Sequence, residues 1–173
     1  MMLTQDEKKF LKTILSDQKV RIIPFNEKAI KIGKQIIAKV KKVIPELDVR
    51  HMGASGLRIS GQPDLDIYAL ADSKDFERYF PSLVKIFGKP KNSRPHSIAW
   101  EFSQEGYHVE FYLTDPKSPS MKRQITVFEI LRNNKKLVKE YERLKSSMNG
   151  KSYRDYQKRK YEFYHRILKK QFS

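Results

Sequence analysis

The sequence predicts an α+β (mixed α/β) fold with helices at both ends and a strand-rich middle. Three observations predict it. Ala29, Ile30, Gly33, Ile36, Ile37, Val40 and Val43 recur at helical spacing, opposite lysines at 28, 31, 34, 39 and 42. Between Leu47 and Leu113, short apolar or alternating runs are separated by Gly, Pro and polar clusters, which is strand patterning. From Gln124 onward the period is helical again. A chain of 173 residues fits one domain, or one domain with an extension. The expected division is a core with an N-terminal helix over 1–120 and a helical extension over 121–173, packed together as one compact unit.

Thr4-Gln5-Asp6-Glu7 has the form of a capping box, so a short helix is expected from Gln5 to Asp17. Val20 to Phe25 reads as an extended segment stopped by Pro24, and Asn26 as the cap of the amphipathic helix, which ends near Pro45. Leu47 to Met52 and Leu65 to Leu70 read as strands. Ser73 is the expected cap of a helix carrying Phe76, Tyr79, Phe80, Leu83, Val84 and Phe87 on one face, with a kink at Pro81. Gly88 to Pro95 reads as loop. Ser97 to Phe102 and Tyr107 to Leu113 read as a hairpin turning at Ser103-Gln104-Glu105-Gly106. After a loop from Asp115 to Ser120, three helices are expected: Arg123 to Asn133, Lys135 to Met148, and Tyr153 to Phe172, with Asn149-Gly150 between the last two.

Composition narrows the function. There is no cysteine, so disulfide, thiolate-metal and thiol chemistry are excluded. No run approaches the ~20 apolar residues of a membrane helix. Met1 to Asp17 is charged and lacks the apolar core of a signal peptide, so a cytoplasmic location is expected. The aromatic share of 12% argues against disorder. The net charge is +16, and Arg132 to Ser173, with 14 Lys/Arg against 4 Asp/Glu, carries +10 of it. Such a basic protein either faces a polyanion or simply has a solvated Lys-rich surface.

The stretch Met52 to Leu70 carries the chemistry. Gly53-Ala54-Ser55-Gly56 is a small-residue turn whose backbone N–H groups can approach an anion closely. A short loop follows, and then Asp64 and Asp66 project from one face of a strand, because residues two apart share a side. Two carboxylates that close repel unless a cation lies between them, and Mg²⁺ is commonly held by one or two carboxylates plus substrate phosphates. Alone, either half is an ordinary loop or strand start; together they point to a metal–nucleotide site. In Tyr107 to Tyr112 the apolar face is Tyr107, Val109 and Phe111, so His108, Glu110 and Tyr112 face the other way. Glu110 is either solvent-facing or the third acid of the cluster, if its strand pairs beside Asp64 and Asp66. His108 is a candidate phosphate or nucleotide contact.

These residues resemble the GrpB-like family of the DNA-polymerase-beta-like nucleotidyltransferase superfamily, over most of the chain. Val20 to Phe25 looks like its opening strand. His51-Met52-Gly53-Ala54-Ser55 looks like its His-hydrophobic-Gly-Ser-Thr element, and Pro63-Asp64-Leu65-Asp66-Ile67 like its element ending in Asp. His108-Val109-Glu110-Phe111 occupies the place of its His-Leu-His-Val strand. Phe128 to Lys145, with Tyr141, Leu144 and Lys145 in register, resembles its Phe-Arg-Asp-Tyr-Leu-Arg and Tyr-x-x-Leu-Lys helices, and Tyr156, Lys160 and Phe163 its closing helix. The departures are Ala54 for the usual Ser, a loop about one residue short and without Pro-Gly, and Glu129 for an Asp.

The resemblance implies a nucleotidyltransferase-type mixed sheet flanked by helices. The function expected is Mg²⁺- or Mn²⁺-dependent transfer of a nucleoside monophosphate from an NTP to an acceptor hydroxyl on RNA, protein or a small molecule. In this reading Asp64, Asp66 and Glu110 are the catalytic and metal-holding acids. Gly53, Ala54, Ser55, Arg58, His108, Lys145 and Lys160 face nucleotide or phosphate, with Arg132 a further candidate. Tyr153, Tyr156, Tyr161 and Tyr164 either stack on bases or pack the helices. The alternatives are a decayed nucleotide- or RNA-binding module, consistent with Ala54, and an interaction protein whose acids merely meet solvent.

Overall fold

The computed structural model describes residues 3–171. Phe172, the expected end of the last helix, lies outside the described residues. Two helices open the chain, α1 (Gln5–Thr13) and α2 (Glu27–Val43). The capping box of α1 forms as read: Thr4 Oγ1 accepts from Glu7 N, and Glu7 Oε2 accepts from Thr4 N at 2.8 Å. The helix stops short of Asp17 because Ile14 turns to extended backbone. Asn26 caps α2.

β1 (Asp48–Met52) runs into α3 (Gly53–Gly56), a single helical turn where a tight turn is expected. β2 (Asp64–Leu70) follows. A one-turn 3₁₀ helix (Ser73–Asp75) leads into α4 (Phe76–Phe87); its cap is Asp72 rather than Ser73, with the Asp72 carboxylate accepting from Lys74 N. Next come β3 (Asn92–Arg94), β4 (Ser97–Gln104) and β5 (Tyr107–Thr114). The chain closes with α5 (Pro119–Arg132), α6 (Lys135–Ser147) and α7 (Tyr153–Gln171).

The five strands form one mixed sheet in the order β1-β2-β5-β4-β3. β2 and β5 lie side by side and parallel, and every other pairing is antiparallel. The mixed sheet and flanking helices are as expected. Beyond the end of α1 and the Ser73 cap, four local readings need correction, the first being the start of α5, which opens at Pro119 inside the expected Asp115–Ser120 loop with Ser118 as its cap. β3 lies within the expected Gly88–Pro95 loop; all three of its residues are polar and exposed, as befits a short edge strand. The hairpin turns on Glu105 and Gly106 alone, both at positive φ, so Ser103 and Gln104 remain in the ladder. Val20 to Phe25 joins no strand ladder. Isolated bridges, of Lys19 just before it with Ser152 and of Ile23 within it with Gly61, tie it to the residue preceding α7 and to the loop before β2.

One face of the sheet is dry. Leu65, Ile67 and Ala69 of β2 and Val109, Phe111 and Leu113 of β5 are fully buried against Ile32, Ile36 and Val40 of α2 and Leu83 of α4. The opposite face carries the polar alternates, Asp64, Asp66 and Tyr68 beside His108, Glu110 and Tyr112. Helices of the C-terminal segment pack near this side. Ala54 and Ile59 share an apolar cluster with Val127, Leu131, Tyr141, Phe163 and Ile167, and Tyr68 packs with Met121 and Ile125. Among the described residues, no helix is long and apolar enough to cross a membrane.

Candidate active site

The parallel pairing of β2 with β5 makes the site. It sets Asp66 directly opposite Glu110, and Asp64 opposite His108. On the other side of Asp66 the antiparallel ladder sets Met52, the last residue before α3. Gly53 therefore starts its turn against the Asp66 carboxylate. Its φ is +67°, and a Cβ there would lie 2.0 Å from Asp66 Oδ2, so both backbone and space demand glycine. Gly61 has a related role: a Cβ there would lie 2.4 Å from the Ala54 methyl. Ala54 turns that methyl into the apolar cluster, so this position offers a backbone N–H and no hydroxyl. The hydroxyl of the turn is Ser55 Oγ, held 2.8 Å from His51 Nε2. Burial lowers the His51 pKa to about 4, so its ring is neutral.

Burial and the neighbouring carboxylates raise both aspartates. Burial, then the charges of Asp64 and Glu110, push Asp66 up to about 7. Burial raises Asp64 as well, opposed first by Lys145. A half-buried set of closely spaced carboxyls is the donor chemistry that a hard divalent cation fits. Glu110 is already engaged, since its Oε2 accepts from the Tyr112 hydroxyl at 2.6 Å. Among the described residues, the ligand atoms that converge within 4.8 Å are those of Glu101, His108 and Glu110, not of Asp64, Asp66 and Glu110. The three acids share a face, and joining Glu110 to the two aspartates requires its side chain to turn from that set.

Two cations come from the C-terminal helices. Lys145 on α6 is buried between the rings of Tyr141 and Tyr156, its Nζ donating to the Tyr156 hydroxyl at 2.7 Å. Burial, followed by repulsion from Lys160, lowers it to about 8. Lys160 on α7 lies over the Tyr164 ring at 5.7 Å. Burial works against its charge, but Tyr164, Tyr156 and Asp66 outweigh that and raise its pKa. Both lysines act on Asp64 and Asp66 through their charge. The loop between α3 and β2 is fastened to α6 by Glu142, which accepts from Ser60 N and Oγ at 2.8 and 2.9 Å.

Of the other expected phosphate contacts, Arg58 pairs with Glu27 and lies over the Phe25 ring at 5.8 Å. His108 is exposed, 3.5 Å from Glu101 and 3.8 Å from Glu110. Arg132 pairs with Glu129. Three pairings near the acids escape sequence reasoning. Glu101 faces Glu110 across β4–β5, which only the true two-residue turn reveals. The Tyr68 and Tyr112 rings stack at 5.0 Å, one register row beyond Asp66 and Glu110, and their period-two spacing from those acids is the signal. The His51–Ser55 bond joins residues four apart across the strand end and α3, and no pattern announces it.

The chain matches the GrpB protein family over residues 19–170. No curated protein matches it. The crystal structure of the conserved protein GrpB from Enterococcus faecalis is similar, with a TM-score of 0.67, 13% identity, and coverage of 88% of this chain and 99% of that one. The Cid1 poly(U) polymerase bound to MgGTP has a TM-score of 0.45 at 11% identity, with coverage of 77% of this chain and 43% of that one. A cytoplasmic RNA terminal U-transferase has a TM-score of 0.44 at 12% identity, with coverage of 77% and 42%. At these identities the Enterococcus faecalis likeness concerns the fold alone, and the other two are too distant in shape to argue from.

Proposed function

The chain belongs to the GrpB family, and from that premise we propose that it is a nucleotidyltransferase dependent on Mg²⁺ or Mn²⁺, moving a nucleoside monophosphate from an NTP to an acceptor hydroxyl. One observation carries the reading: Asp64, Asp66 and Glu110 share a sheet face at the edge of the Gly53 turn, with Lys145 and Lys160 acting on the aspartates. Asp64 and Asp66 would hold the cation, which supplies charge neutralisation on the nucleotide phosphates when bound.

The residues of the chain do the rest. The N–H groups of Gly53 to Ser55, the Ser55 hydroxyl steadied by neutral His51, and the two lysines receive the β- and γ-phosphates. Glu110 takes the proton of the acceptor hydroxyl. The acceptor oxygen bonds to the α-phosphorus as the bond from that phosphorus to the bridging oxygen breaks, and pyrophosphate leaves toward the turn. Catalysis of this kind is mainly positioning and electrostatics.

Ala54 favours a second reading, a module that binds nucleotide without turning it over, because the usual hydroxyl at that position is absent. Metal-dependent NTP binding, compared between wild type and an Asp64→Asn/Asp66→Asn variant, tests the site. Pyrophosphate release then separates enzyme from module. The acceptor class, the core-plus-extension division at residue 120 and the cytoplasmic location belong to the same proposal.

A further inference from the structure

We propose that the acceptor is a nucleotide with a free ribose hydroxyl, bound in a cavity of about 420 Å³ immediately beyond the acids; this rests on the nucleotidyltransferase reading above. The site has a direction. The Gly53 turn follows Met52, which pairs with Asp66 on the antiparallel ladder, and a Cβ at Gly61, just before β2, would lie 3.9 Å from Lys145 Nζ, so the phosphate-receiving groups lie toward the start of β2. Attacking and leaving oxygens lie roughly in line across phosphorus. The attacking hydroxyl must then come from the opposite side, toward the end of β2. There, one register row or roughly 7 Å further along the strands, Tyr68 and Tyr112 stack at 5.0 Å with their rings 14° from parallel. Those two rings form a wall of the cavity.

The lining defines the ligand. It holds no carboxylate. Its one fixed cation is Arg94, at the end of the edge strand β3, exposed and without an ion-pair partner among the described residues. Hydroxyl and amide groups of Ser97, Thr114 and Gln124 supply further hydrogen bonds. Arg94 is in register with Ser97, and Ser97 with Thr114, four residues along β5 from Glu110. That separation of roughly 13 Å is one that an arginine side chain and a single nucleoside phosphate together span. A ribose hydroxyl then meets Glu110, the sugar and base lie by the tyrosines, and the phosphate meets Arg94. The cavity is large enough for one such nucleotide.

The test is calorimetric titration of the four ribonucleoside 5′-monophosphates, and of a six-nucleotide RNA with a free 3′ hydroxyl, without divalent metal, alongside titration of Mg-NTP into wild type. The proteins are wild type, Arg94→Ala, Arg94→Lys and Asp64→Asn/Asp66→Asn. Binding to wild type and to the aspartate variant, weakened about tenfold or more by Arg94→Ala and less by Arg94→Lys, is expected. A monophosphate alone binding identifies a small acceptor, and tighter RNA binding identifies an RNA end; each supports the nucleotide pocket. Binding of Mg-NTP to wild type with neither probe bound, or with binding indifferent to Arg94, overturns the acceptor assignment and leaves the nucleotidyltransferase reading standing. Failure of Mg-NTP to bind wild type overturns both.

Discussion

Asp66 and Glu110 stand opposite each other across the only parallel ladder of the sheet among the described residues. That pairing brings a carboxylate from residue 110 to one from residue 66, with Asp64 two positions away on the same face. Everything proposed for this protein depends on it.

The first consequence is a pH dependence. In metal-free protein, the folded state holds the Asp66 proton to about pH 7, whereas an unfolded aspartate releases it near 3.9. Between those values the folded state binds more protons, so this group's contribution falls as pH rises through the window. At pH 8 without metal, Asp66→Asn should melt above wild type by at least ~2–4 °C, about 1 kcal/mol. At pH 4 the advantage should vanish. Thermal melts at both pH values check this, and a variant less stable than wild type at pH 8 contradicts it.

Glu7 has the opposite sign. Burial raises it, but the hydrogen bonds from His165 Nε2 at 2.8 Å and from Thr4 N outweigh that and hold its pKa low. Its stabilisation is present above the ordinary carboxylate pKa and is lost as pH falls through the folded value. Glu7→Gln should cost about 1–2 kcal/mol at pH 7 and speed hydrogen exchange in α1, which this contact ties to α7. Unchanged exchange in α1 would show the tie to be unimportant.

Gly53→Ala places a methyl on the Asp66 carboxylate and forces a non-glycine residue to φ +67°. The backbone cost is about 1–2 kcal/mol, while binding of Mg-NTP should be lost altogether. Circular dichroism with calorimetry on the same sample distinguishes a damaged site from a damaged fold.

Lys145 is a buried ammonium whose pKa has dropped to about 8, so its charge costs stability at pH 7. Lys145→Met should leave the melting temperature equal or higher. NTP affinity should fall tenfold or more. Equal affinity in the variant would remove Lys145 from the phosphate site.

Much of this architecture is legible in the residues. The 3.6-residue period of α2, the alternation of β5 and the Gly-turn-to-Asp-x-Asp spacing are local signals, and each corresponds to an observed element. The family expected from the motifs is the family that matches. Long-range relationships are less legible. Nothing in Tyr107 to Tyr112 says that β5 lies parallel to β2, so Glu110 remains ambiguous until the strand order is known. A four-residue turn in place of Glu105-Gly106 shifts the hairpin register by two and hides the Glu101–Glu110 pair. β3 is wholly polar, so no hydrophobic period marks it. The burial of Lys145 against Tyr156 depends on how α6 meets α7, eleven residues apart with a break between.

The most direct test of the central claim is calorimetric titration of each of the four NTPs, with and without Mg²⁺, into wild type and into the Asp64→Asn/Asp66→Asn variant. Metal-dependent binding in wild type that is abolished in the folded variant is the predicted result. Absence of NTP binding in wild type, or equal binding in the variant, would contradict the assignment of Asp64 and Asp66 as the centre of a nucleotide site.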